Sequence, residues 1–179
     1  MPTAFPALDA ILGDSARIDS ASLDRLVADH PAEAPLLLHL VELAECEEPK
    51  LQIAATALLK RYQAGGAAFS EEMVTRLLDI LPSALHWEVT LHLLQMIAQL
   101  PIPYSHTESL CDSVRDLSQH VNTFVRAWAY GALHRLAALY PQYRSDVSPL
   151  LEYASQTESA SVRARLRQLP PLDEMPSGA

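Results

Sequence analysis

The chain has 179 residues, enough for one domain with a continuous core, and 49% of them are hydrophobic, mostly Leu and Ala rather than strand-favouring types. A formal net charge of −9 works against binding a nucleic-acid backbone, which needs clustered Lys and Arg, and the chain has only two lysines, Lys50 and Lys60. No stretch reaches the roughly 18 to 20 apolar residues that span a bilayer, and MPTAFPALDAILGD at the N-terminus lacks a basic segment, so neither a membrane span nor a signal peptide is expected and the chain reads as cytoplasmic.

Prolines, glycines and caps punctuate ten expected helices. The runs 5–12 and 20–30 form a first pair, and residues 1–32 read as an N-terminal capping unit because they lack the pattern that follows. Helix 33–46 has Pro35 in its first turn and ends in an acidic run, Glu45, Glu47 and Glu48, expected to be solvated. Helix 49–64 opens at Pro49 and stops at Gly65-Gly66. Helix 70–82 has Ser70 before Glu71 and Glu72, acids suited to a first turn. Helix 85–100 lies between Pro82 and Pro101, and in helix 105–118 Ser105 with Glu108 has the spacing of a capping box. Helices 122–139, 145–155 and 159–169 follow, with Ser148-Pro149 read as a cap and first helical position. The tail 170–179, PPLDEMPSGA, has no apolar period and is expected to be disordered. Cys46 and Cys111 are too few for a disulfide framework and read as reduced, buried thiols.

One pattern recurs at intervals of 36 to 38 residues, anchored at Leu51, Trp87, Val125 and Val162. Positions four, seven and eleven beyond each anchor are mostly apolar, and such a period signals stacked two-helix units, none of which can cover its own apolar face. Leu58, Leu91, Leu94, Ala129, Leu133 and Leu166 are the expected buried layer, and Trp87 and Trp128 are expected to pack. Gly131, in a helix interior, suggests close approach of a neighbouring helix.

The segment Asn122-Thr-Phe-Val125-Arg126, continued by small residues at helical spacing, resembles the second helix of a HEAT repeat, and Val162-Arg163 repeats the Val-Arg pair. Leu51-Gln52 and Trp87-Glu88 keep the hydrophobe without the arginine. The resemblance covers about residues 33–169 as four repeats. It implies an all-α fold, a right-handed α-α superhelix of about five antiparallel helix pairs, whose second helices line a concave face.

On that expectation, non-core positions of the second helices form an exposed ladder: Gln52, Thr56 and Lys60; Glu88, His92 and Gln95; Arg126, Tyr130 and His134; Arg163 and Arg167. Charge is uneven along the chain. Residues 1–60 hold ten acids and four bases, whereas residues 121–169 hold six arginines and three acids. Tyr and Arg are types enriched in binding hot spots. The ladder, centred on Glu88, His92, Arg126, Tyr130, His134, Arg163 and Arg167, is therefore the candidate site of a non-enzymatic interaction module that takes a protein or peptide, the basic end selecting an acidic segment. Scaffold, adaptor, assembly factor and inhibitor are all open.

No metal or cofactor is expected. His86 and His92 are six residues apart and fall on different sides of a helix. Deoxyhypusine hydroxylase, built of similar repeats, holds iron on His-Glu pairs, and this chain has no such dipeptide. The competing reading is a nucleic-acid-binding protein similar to HEAT-like DNA glycosylases, recruiting Trp128 with Arg126, Arg163 and Arg167. The scarcity of lysine and the lack of an aspartate on the second helices weigh against it.

Overall fold

A computed structural model of the chain describes Phe5, Leu8, Leu12 and residues 19–172. Among these residues the regular structure is entirely helical, without a strand, as expected. The helices are α1 (Ser20–Asp29), α2 (Ala34–Ala44), α3 (Pro49–Ala64), α4 (Glu71–Ile80), α5 (Trp87–Ile97), α6 (Thr107–Leu117), α7 (Thr123–Leu139), α8 (Arg144–Thr157) and α9 (Ala160–Leu166). Of the expected helix 5–12, Leu8 and Leu12 are helical and buried, and its other positions except Phe5 lie outside the described residues. The expected tail likewise lies outside them from residue 173 onward.

Several boundaries follow from single residues. The Asp19 carboxylate accepts from the Ser22 amide at 2.7 Å, Ser70 Oγ from Met73 at 3.2 Å and Asn122 Oδ1 from Phe124 at 2.9 Å, so each satisfies an amide that the first helical turn leaves unpaired. Gly66, at φ +90°, closes α3. The Ala67 amide donates to Tyr62 O and the Gly66 amide to Gln63 O, a paired closure that needs a left-handed residue between them. Two local expectations fail. Ser105 does not cap α6: a short 3-10 turn, Tyr104–His106, precedes that helix, and Ser105 Oγ meets His106 Nδ1 instead. Ser148-Pro149 does not open α8, which already runs from Arg144. Pro149 sits early in that helix, where its missing amide removes one hydrogen bond.

The chain divides into two compact units, residues 1–96 and 97–179, and the boundary falls in the last turn of α5. In the first unit, α2 and α3 pack as a hairpin joined by four residues. Leu40, Val41, Ala55, Leu58, Leu59, Val74, Leu77 and Leu94 are almost wholly enclosed. In the second, α7 packs against α6, α8 and α9. Its buried positions run round the whole helix, from Val125 and Ala129 to Leu133, Leu136, Ala137 and Ala138, as expected for a helix enclosed by neighbours on several sides.

Polar cross-links repeat the sequence period within each unit. Glu45 receives both Nε and Nη2 of Arg76 at 2.7 Å, so this acid is paired and not merely solvated. Tyr62 donates to His30 O at 2.8 Å, Lys60 to Gln95 Oε1 at 2.8 Å and Gln63 to Met96 O at 3.1 Å. In the second unit Tyr140 donates to Ile102 O at 2.6 Å and Tyr143 to Thr107 Oγ1 at 2.9 Å. Every one of these spans 31 to 38 residues, about one repeat.

The buried layer is only partly as expected. Leu58, Leu94, Ala129 and Leu133 are enclosed, whereas Leu91, Leu166 and the Trp87 anchor are half-buried because each lies at the margin of its helix's packed face. Cys111 is buried and Cys46 half-buried, and both are free thiols. Truncating Leu94 to Ala should lower unfolding free energy by about 2–5 kcal/mol in urea titration, with Leu91→Ala costing clearly less because part of its surface already faces water.

Candidate functional site

The structure breaks the expected exposed ladder into buried links and two separate cavities. Gln52 and Thr56 are buried on α3. Gln52 Oε1 accepts from the Leu85 amide at 3.1 Å, which fixes the entry to α5. Tyr130 and His134, expected on an open face, are each only 5% exposed. The reason lies in the packing of α7, where α9 and residues beyond it cover the side assigned to solvent.

Arg126 is likewise committed inside the second unit. Its Nε and Nη2 donate to the two carboxylate oxygens of Glu158 at 2.9 and 3.1 Å, and Nη1 donates to His120 O at 2.9 Å. Glu158 also accepts from the Ser159 amide at 3.1 Å, so one carboxylate ties the start of α7 to the turn between α8 and α9. The Arg126 hydrogen bond, opposed by desolvation, holds the Glu158 carboxyl below its ordinary range, and the same pair raises Arg126. Burial raises the Tyr130 phenol. Three part-buried, charge-assisted donor-acceptor pairs leave Arg126 little capacity for a foreign carboxylate.

Arg165, which the sequence reading did not single out, crosses Trp128 with its guanidinium carbon 3.9 Å from the ring centroid. Trp128 is thus packed, and its face is taken by a cation from α9. A Cβ on Gly131 would lie 3.9 Å from Arg165 Nη2, an ordinary contact, so close helix approach is not what this glycine serves.

His134, Arg163 and Arg167 do come together. They line a cavity of about 610 Å³ with Leu151, Leu166 and Pro170. His134 Nε2 lies 2.7 Å from Pro170 O, and because a carbonyl can only accept, this nitrogen carries the proton. Burial lowers the His134 pKa and the Pro170 bond partly offsets it. The segment expected to be structureless from residue 170 thus begins with a fixed hydrogen bond. Arg163 Nε is enclosed without a hydrogen-bond partner, and Arg167 is exposed.

Glu88 and His92 belong to the other cavity, of about 640 Å³, in the first unit. Thr56 Oγ1 lies 2.8 Å from Gln52 O and 3.1 Å from Ile53 O, so its proton points to those carbonyls and it accepts from His92 Nδ1 at 3.0 Å. His92 is neutral as a result of its surroundings: burial, with Lys60 and Arg61 nearby, brings its pKa down to about 3. Glu88 and His92 thus belong to the first unit, and Arg126, Tyr130, His134, Arg163 and Arg167 to the second.

Among the described residues no group of three or more His, Cys, Asp or Glu is placed to hold a metal ion, and no helix is long and apolar enough to cross a membrane. No family model matches the chain, and neither a curated protein nor a solved structure matches it.

Two outcomes test this geometry. Arg126→Gln should lose about 1–3 kcal/mol of stability by leaving the Glu158 carboxylate underpaired, and a double-mutant cycle with Glu158→Gln should return a coupling energy well above zero. Because His92 stays neutral in the fold while the unfolded chain takes up a proton near pH 6.5, stability should be fully present above that pH and fall below it, by at most about 1.4 kcal/mol per unit. His134 adds in the same direction. Urea midpoints between pH 6.5 and 5 should show a shallower decline for His92→Gln than for the parent chain, and equal slopes would remove His92 as the source.

Proposed function

We propose that the chain is a non-enzymatic interaction module of HEAT-like helical repeats, working in the cytoplasm, that receives an acidic peptide segment of another protein in the cavity of its second unit. The observation that carries this reading is the convergence of Arg163, Arg167 and His134 on an apolar floor of Leu151, Leu166 and Leu169. Two guanidinium groups supply charge and planar donor sets for carboxylates, and the leucines accept an adjacent apolar side chain. His134 presents no charge at neutral pH, since burial disfavours its protonated form. The arginines define the charge of the cavity, with Glu152 as the acid among its lining residues.

The binding surface is therefore narrower than the seven-residue ladder. Arg126 and Tyr130 act as its support, because Arg126 fixes Glu158 between α8 and the helix that bears Arg163. Selection of a displayed peptide library on the full chain should enrich sequences with Asp or Glu beside a large apolar residue. Arg163→Glu together with Arg167→Glu should weaken a selected peptide at least about tenfold while leaving the melting temperature unchanged, the loss of one good charged contact being worth roughly that factor. Enrichment without acidic residues, or full binding by the double variant, would remove this function.

A further inference from the structure

The first unit holds a second cavity with a different character. Both lysines of the chain line it, together with Arg61, Trp87, His86 and His92. Its volume of about 640 Å³ falls within the range of small-molecule sites. Helices α3 and α5 run alongside each other in parallel there, since Thr56 meets His92 and Lys60 meets Gln95 at matching steps.

Lys60 is the informative residue. It is half-buried, and Nζ donates to Gln95 Oε1 at 2.8 Å, a neutral acceptor that uses one of three ammonium protons. No ion pair to Lys60 occurs among the described residues, although Arg61, its neighbour, is paired with Asp24 at 2.8 Å. Burial and the Arg61 charge both lower the Lys60 pKa, the signature of a cation held without a counter-charge. A desolvated ammonium in that position is stabilised when an anionic oxygen arrives.

The remaining lining fits the rest of a ligand. Trp87 is half-buried beside the His86 ring, the two centroids 5.6 Å apart, and Ile53, Ala54 and Ala57 give an apolar wall. His92 donates from Nδ1 to Thr56, which leaves Nε2 as an unprotonated acceptor for a ligand N–H or O–H. In the register of the Thr56–His92 contact, Trp87 falls opposite Leu51, nine residues before Lys60 on α3 and a rise of about 13–14 Å, so the cation and the tryptophan end stand one small molecule apart. Glu88, 3.9 Å from His86 Nδ1, shares the tryptophan end and keeps a second anion from being favoured there.

We infer that this cavity binds a small aromatic anion, with its carboxylate or phosphate on Lys60 and its ring against Trp87. The site is independent of the peptide cavity and stands whether or not that reading holds.

Calorimetric titration of the full chain with four probes tests it: adenosine monophosphate, 2-naphthoate, adenosine and inorganic phosphate. At least one of the two aromatic anions should bind saturably and at least about tenfold tighter than either the uncharged ring or the bare phosphate. Lys60→Gln should remove that tenfold advantage, Lys60→Arg should keep most of it, and Trp87→Leu should reduce binding of the aromatic anion to the level of inorganic phosphate. Arg163→Glu with Arg167→Glu, in the other unit, should leave all four titrations unchanged. Absence of saturable binding by both aromatic anions up to about 1 mM, or equal affinity in correctly folded Lys60→Gln, would overturn the assignment.

Discussion

No single helix pair of this chain can cover its own apolar face, and the rest of the structure follows from that deficit. Helix α7 carries it furthest, since it is buried on nearly every side and depends on α6, α8 and α9 together. Apolar burial alone would leave helices free to slide along one another, because the hydrophobic effect is non-directional. The cross-links supply direction. Arg76 to Glu45, Tyr62 to His30 O, Tyr143 to Thr107 and Arg126 to Glu158 each join groups 31 to 36 residues apart, and so fix how helices distant in sequence are set against one another.

The helices were legible because their limits are written in residues with fixed backbone preferences. Pro49, Ser70, Asn122 and Gly66 act through local φ, caps and carbonyl closure, none of which needs knowledge of the fold. Ser105 and Ser148 misled for a related reason. A capping pattern is satisfied by sequence spacing alone, whereas the actual cap is decided by where the preceding turn delivers the chain, and here the turns Tyr104–His106 and Pro141–Tyr143 start the helices from different points.

The site was less legible. Periodicity distinguishes apolar from polar positions but does not count how many neighbours cover the polar side, so it puts Tyr130 and His134 on an open face although both are buried, His134 against Pro170. Arg126 showed its charge and not its partner, which lies 32 residues ahead at a helix junction. Lys60 stands on the polar ladder in sequence, but its pairing with Lys50 gives no signal, because ten residues of one helix separate them and their shared cavity exists only once α5 is laid beside α3. The division at Met96 and Ile97 was hidden for another reason. It falls inside a helix, where no proline, glycine or change of composition marks it.

The bond from His134 to Pro170 also orders events during synthesis. A ribosome delivers α7 well before residue 170, so for that interval the His134 imidazole has water, and not the Pro170 carbonyl, as its acceptor. The side of α7 bearing His134 stays open until α9 and Pro170 have followed, since these are what cover it. A nascent chain arrested in that window displays a wet, partly apolar helix face, the kind of surface on which holding chaperones act.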